Sequence, residues 1–326
     1  MYNNMDHKIK QNRRQTMKRI LSLILVLVLS LTCLAACGDP DNTDPGNTPP
    51  ADDGVRSYNL AIGVTAAANA DFSKVIKNVA VLVTDADGKI VLCRLDCVEY
   101  SGDSDDAPVS KAEQGDNYDP YGAMAAGDWY KQAAALESYV AGKTRSEVAA
   151  IAVGADGKSE LVAGCTIAIT DLLAAIDKAF ASEYKTAFDA KEGTLTAGLK
   201  VSASAIAYDE AKNQTKISTT FGAAVLSEGA VVAAILDTAE PVIKFVAEYN
   251  PTFTYDGTKR EQGTSYDSYA PMAAGTWYVQ ADAYAKAAVG LTKDNIATLA
   301  SEGVAGCTIY AGGYKAAIEA AVNMAR

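Results

Sequence analysis

The chain repeats itself, so whatever fold it adopts must accommodate the same chemistry twice. Residues 111–133, KAEQGDNYDPYGAMAAGDWYKQA, match residues 259–281, KREQGTSYDSYAPMAAGTWYVQA, at 15 of 23 positions without a gap. Self-similarity of this density predicts two copies of one structural unit. Upstream, Asp87-Gly88-Lys89-Ile90-Val91 lies over Glu228-Gly229-Ala230-Val231-Val232, with Asp96 over Asp237. Downstream, Glu160-Leu161-Val162-Ala163-Gly164-Cys165-Thr166 returns as Glu302-Gly303-Val304-Ala305-Gly306-Cys307-Thr308.

Each copy opens with strand-like material. Residues 57–65, 75–83 and 90–98 are apolar runs, the last two separated by Asp85-Ala86-Asp87-Gly88, and 199–207, 215–226 and 230–236 repeat the arrangement around Ser227-Glu228-Gly229. Apolar runs broken by a glycine turn predict antiparallel hairpins. Residues 242–254 add a strand candidate where the first copy has only the polar stretch 101–108.

Helices follow the strands. Trp129, Ala133, Leu136 and Val140 recur at helical spacing, and Thr144-Arg145-Ser146-Glu147 has the form of a capping box. Thr170 is placed to cap a helix from Asp171 to about Ala190, and its counterpart spans about 313–324. The expectation is an α+β fold of two tandem repeats, 55–192 and 193–326, each an antiparallel sheet followed by two or three helices.

The first 54 residues read differently. Lys8, Lys10, Arg13, Arg14, Lys18 and Arg19 precede an apolar run from Ile20 to Leu31, the pattern of a signal peptide. The run ends in Leu34-Ala35-Ala36-Cys37, which resembles the lipobox of bacterial lipoproteins. That resemblance implies removal of residues 1–36, lipid attachment at Cys37 and anchorage on the extracytoplasmic side of the cell membrane. Residues 37–54, dense in Pro, Gly and Asp, read as a flexible tether. Met17 offers an alternative start to the leader.

Processing narrows the chemistry. The leader takes six of the 29 basic and one of the 40 acidic residues, leaving 23 against 39, so nucleic acid is excluded as a partner on charge. The single histidine, His7, leaves with it, which removes Ser-His-Asp, Cys-His and histidine-metal sites. No catalytic residue is assigned, and a carrier or binding protein is expected rather than a turnover enzyme. Cys93 and Cys97 lie about 13 Å apart along one extended strand, beyond disulfide reach. Free, mostly buried thiols are expected there, and at Cys165 and Cys307 unless the two copies face one another.

The doubled motif of an acidic residue, two spacers, a small residue, glycine, a small residue and threonine resembles the covalent flavin site of the FMN-binding domain family. That family includes flavin-carrying subunits of sodium-pumping NADH:quinone oxidoreductase and of Rnf complexes, and extracytoplasmic flavoproteins. The resemblance implies FMN as cofactor, Thr166 and Thr308 as acceptors of its phosphate, Gly164 and Gly306 as motif glycines, and Glu160 and Glu302 in the place of the family's Asp. It implies membrane electron transfer as the activity, with a flavin transferase and redox proteins as partners. The pattern departs from the family at Ala163 and Ala305, where the family has Ser or Thr, and at Cys165 and Cys307, where it has Ala. Non-covalent binding on the same scaffold, and a cofactor-free surface or structural lipoprotein, remain open.

Trp129 and Trp277 offer rings that could stack on a flavin or anchor a core. Tyr118, Asp119 and Tyr121, with Tyr266, Asp267 and Tyr269, lie in glycine-flanked loops that could line a pocket or simply turn the chain. Glu113-Gln114-Gly115 and Glu261-Gln262-Gly263 carry a weaker signal. Asp85, Asp87 and Gly88 lack the following bidentate Glu of a calcium loop.

Overall fold

The computed structural model describes residues 53–326 apart from 103, 105, 120, 246–249, 267–271 and 273. The signal peptide, the lipobox with Cys37 and almost all of the tether lie outside the described residues, as do Asp267 and Tyr269. No helix among the described residues is long and apolar enough to cross a membrane.

The fold is α+β. Strands β1 (Val55–Ala68), β2 (Lys74–Thr84) and β3 (Ile90–Ser101) come first, then helices α1 (Lys111–Gln114), α2 (Trp129–Val140), α3 (Arg145–Ala149) and α4 (Thr170–Ala181). Strand β4 (Thr186–Lys191) precedes β5 (Leu195–Ala203), β6 (Ala207–Asp209), β7 (Gln214–Lys216), β8 (Thr219–Ser227), β9 (Ala230–Ala239), β10 (Val242–Phe245) and β11 (Pro251–Thr254). Helices α5 (Lys259–Gln262), α6 (Trp277–Lys286) and α7 (Gly312–Met324) close the chain. All strand pairs are antiparallel, in sheets ordered β3-β2-β1-β4, β5-β8-β9 and β11-β10-β7-β6.

The first two sheets lie face to face between two helical layers. Val75, Val79, Val81 and Val83 of β2 share one core with Phe221, Ala223 and Val225 of β8. Side chains of the opposite parity, Ala80 and Leu82, pack instead with Trp129, Leu136, Leu172 and Ile176 from the helices. In the second half Ala224 and Leu226 do the same with Trp277, Tyr284, Ile318 and Val322. Covering on both faces explains why these strands read as unbroken apolar runs rather than as alternations.

Local chemistry sets the turns. Glu228 and Gly229 both take positive φ, 50° and 86°, and close a two-residue hairpin between Ser227 and Ala230. Thr144 and Glu147 form the expected capping box. The helix expected to reach Ala190 stops at Ala181, and Thr170 is its first residue rather than its cap. The alternation in Thr186-Ala187-Phe188-Asp189-Ala190-Lys191 makes a strand that pairs with β1, Phe188 opposite Tyr58. The 215–226 run divides into β7 and β8, and 242–254 into the β10–β11 hairpin.

Polar ties join the halves. Glu113 of α1 meets Lys200 of β5, and its counterpart Glu261 of α5 meets Lys178 of α4 at 2.9 Å. At the chain's end, Arg326 exchanges backbone hydrogen bonds with Ala197 while its guanidinium lies 3.0 Å from buried Glu137. Arg94 completes the tie, donating to the carbonyls of Ala197 and Arg326. The Glu-Gln-Gly segments, weak signals in the sequence, thus reach across the molecule.

Candidate functional site

The two self-similar turns adopt one geometry. The N–H of Cys165 donates to the carbonyl of Val162 at 3.1 Å, and that of Cys307 to Val304 at 3.0 Å. Each closes a β-turn whose third residue is glycine, with φ of 79° at Gly164 and 81° at Gly306. Glycine is required there by the turn itself, independently of any ligand.

The threonine after each turn is held by a glutamine from the neighbouring helix. Gln132 Oε1 accepts from Thr166 N at 2.7 Å, from Thr166 Oγ1 at 3.0 Å and from Ile167 N at 3.1 Å. Gln280 Oε1 accepts from Thr308 N at 2.7 Å and from Thr308 Oγ1 at 2.8 Å. Both amides are aimed by a second bond, Gln132 Nε2 to Gly127 O at 2.6 Å and Gln280 Nε2 to Gly275 O at 2.8 Å. Both glutamines are fully buried, so their amides need the partners they have. The sequence carried a signal for this pair: an identical polar residue on the buried face of both matching helices.

The remaining predicted site residues divide by position. Thr166 and Thr308 are exposed on the turn surface, as are Glu160 and Glu302. Cys165 is buried, Cys307 is half-buried, and both are free thiols, as are Cys93 and Cys97. Burial pushes the Cys165 and Cys307 thiols up, away from thiolate reactivity. Trp129 and Trp277 lie in the two helix-facing cores at 5% and 2% exposure, so no ring face is open for stacking. Trp277 is fixed by Nε1 donating to the Tyr314 hydroxyl at 3.1 Å.

The tyrosine loops are split in the same way. Tyr118 and Tyr266 pack against the cores under the ammoniums of Lys111 and Lys259, at 5.1 and 4.8 Å from the ring centroids, whereas Tyr121 is 94% exposed. Asp119 accepts the Met124 N–H at 2.5 Å, which is turn chemistry.

Asp96 and Asp237, aligned in the sequence but given no role by it, are a second matched pair. Asp96 accepts from Ser110 Oγ at 2.6 Å and from Ala112 N at 3.0 Å, so it holds the start of α1 against β3. Asp237 accepts from Arg260 N at 3.2 Å and does the same for α5 and β9. Burial raises both carboxyls to about 6, because desolvation outweighs the hydrogen bonds that favour the anion. A raised carboxyl binds its proton more tightly in the folded state, so its contribution is full below the unfolded value of about 4 and is lost as pH rises through 6. Each aspartate therefore gives up to about 3 kcal/mol more stability at pH 4 than at pH 8. Urea melts across that range should show this component, and Asp96→Asn with Asp237→Asn should remove it from the pH profile.

One turn lines a pocket. A cavity of about 320 Å³ is bounded by Glu302, Cys307, Thr308 and Tyr310 from the second turn and by Tyr284 from α6. Tyr310 is 85% exposed, and the Tyr284 hydroxyl donates to the Ala300 carbonyl at 2.7 Å. No lysine or arginine lines this cavity among the described residues. No group of three or more His, Cys, Asp or Glu side chains among them is arranged to hold a metal ion.

A covalent flavin does not fit the turns as they stand. Esterifying Thr308 Oγ1 removes its proton and leaves the oxygen facing Gln280 Oε1 at 2.8 Å, acceptor against acceptor, and Thr166 meets Gln132 in the same way. The pocket beside Thr308 supplies a carboxylate rather than a cation for a phosphate, while the exposed Tyr310 and the glycine turn suit a flat ring. Compared with family models, with curated proteins and with solved structures, the chain matches none of them at a significant level.

Proposed function

We propose that the chain is an extracytoplasmic, lipid-anchored binding protein whose ligand site lies at the second turn, with the first turn as its architectural counterpart. The observation that carries this reading is the cavity against Glu302, Thr308 and Tyr310, within the size range of small-molecule pockets. Flavin is the ligand class implied by the sequence resemblance, and the lining supports a non-covalent ring over a phosphoester. The exposed ring of Tyr310 would hold the flavin ring, and a bound flavin would supply electron-transfer chemistry. Cys37 at the end of the apolar run, with a flexible tether behind it, supports anchorage to the membrane through an attached lipid.

Flavin fluorescence tests this directly. Titration with riboflavin should show saturable quenching, and Tyr310→Ala should weaken it about tenfold through loss of ring contact. FMN should bind more weakly than riboflavin, and Glu302→Gln should narrow the gap. Absence of quenching by either flavin would overturn the flavin assignment. The second reading, a cofactor-free structural lipoprotein, is favoured by one observation: in both halves the motif threonine is already committed to a buried glutamine.

A further inference from the structure

The residues that repeat are largely consumed by architecture, so the segments that do not repeat are where a specific function is expected. Strands β6, β7, β10 and β11 form a third sheet, and its β10–β11 hairpin has no strand counterpart among the described residues between β3 and α1 in the first half. This sheet closes a cavity of about 520 Å³ against the β1–β2 turn and the end of β3.

We infer that this cavity is a binding site for a small, uncharged aromatic or alicyclic molecule, separate from the pocket at the second turn. Its walls carry four aromatic rings, Phe72, Tyr100, Tyr208 and Phe245, with Ile243 among the aliphatic side chains between them, and no charged side chain among the described residues lines it. Without a counter-ion, a charged ligand would lose its hydration uncompensated, so the lining selects neutral ligands. The volume falls within the range that holds drug-sized molecules. Tyr208 and Phe245 stay 56% and 38% exposed, stacked edge to face with ring centroids 6.4 Å apart, and nothing in the fold requires aromatics there.

Backbone strain is gathered at the same place. Phe72 has φ of 59° and Asn213 has φ of 49°, and these are two of the three non-glycine residues with positive φ among those described. A phenylalanine in that region is costly, and such costs persist where the surrounding structure imposes them, often at ligand sites. Asn213 ties the walls together, accepting from the Tyr208 hydroxyl at 2.8 Å and donating to the Phe245 carbonyl at 2.6 Å.

The floor is rigid. The Tyr100 hydroxyl donates to the Ser218 carbonyl at 2.7 Å. Behind it the fully buried Lys77 donates to the Ile217 carbonyl and to Thr219 Oγ1, each at 2.7 Å. The cavity is therefore preformed, and binding costs little reordering.

The neutral fluorophore N-phenyl-1-naphthylamine, titrated into the chain lacking residues 1–36, tests the inference. Saturable enhancement is expected, competed by neutral indole and far less by anionic 1-naphthalenesulfonate. Tyr208→Ala and Phe245→Ala should each weaken binding about tenfold with only a small fall in melting temperature, because both side chains lie at the solvent-facing rim, while Tyr310→Ala should leave binding unaltered. No saturable enhancement, or full affinity in both wall variants, would overturn the inference. So would loss of binding in Tyr310→Ala alone, which would assign the probe to the second turn.

Discussion

Replacing Gln132 and Gln280 together by leucine is expected to lower the unfolding free energy by about 5 kcal/mol, measured by urea denaturation. Leucine preserves most of the buried volume, so the loss reports hydrogen bonding rather than a cavity. At each site the backbone N–H of the threonine and its hydroxyl lose their acceptor, and the carbonyl of Gly127 or Gly275 loses its donor. A fully buried group left unpaired costs about 1 to 3 kcal/mol, and groups that can turn to water at the exposed threonines cost less, so the two sites together come to about 5 kcal/mol. Gln132 also serves Ile167 N, so Gln132→Leu should be the costlier single change. Thr166→Val and Thr308→Val remove only the hydroxyl donor, and each should cost about 1 kcal/mol. A larger effect of the threonines than of the glutamines would reverse the assignment of which residue organises the turn.

Gly198→Ala is expected to cost about 4 kcal/mol or more, because helix α7 lies directly on β5 at this position. A methyl group there would meet the Ala321 carbonyl oxygen at 1.8 Å, so the helix must move as a body. Gly63 plays the same part under α4, where the added carbon would lie 2.2 Å from the Ala175 carbonyl oxygen. Gly193 provides the contrast: no atom lies within 4 Å of the added carbon, although its φ of 75° still penalises alanine by about 1 kcal/mol. Circular dichroism melts of the three variants should rank Gly198 and Gly63 well below Gly193. Equal melting temperatures would contradict the close helix–sheet contact.

Much of the fold was legible because its signals are local. Gly229 after Glu228 announced a hairpin, Thr144 and Glu147 announced the capped α3, and the spacing of Trp129, Leu136 and Val140 announced the buried face of α2. Three parts were not legible for physical reasons. Strands covered on both faces carry no alternation, so nothing in Val79–Val83 indicates that one face meets a second sheet. The end of α4 was overrun because Ala187, Ala190 and Lys191 suit a helix, and only pairing with β1 makes them a strand. The break within 215–226 arises because β7 leaves the β8 sheet to pair with β6 and β10, a partnership that its own residues do not announce.

The candidate site shows the same division. The repeated motif drew attention to Thr166 and Thr308, and the structure gives each a partner that only long-range packing could supply. Repetition marked Asp96 and Asp237 as a pair, while their role in seating α1 and α5 depends on contacts 14 and 23 residues away in sequence. The aromatic cavity under the third sheet left no motif at all. It is assembled from Phe72, Tyr100, Tyr208 and Phe245, which are scattered along the chain and brought together by a sheet present in one half only.

The intact mass of the mature chain, produced together with a flavin transferase and freed of its lipid, tests the central claim most directly. Threonines committed to Gln132 and Gln280 should remain unmodified, giving a mass with no added FMN and no fluorescence after denaturation. A mass increased by one or two FMN phosphodiesters, lost in Thr166→Val and Thr308→Val, would contradict it.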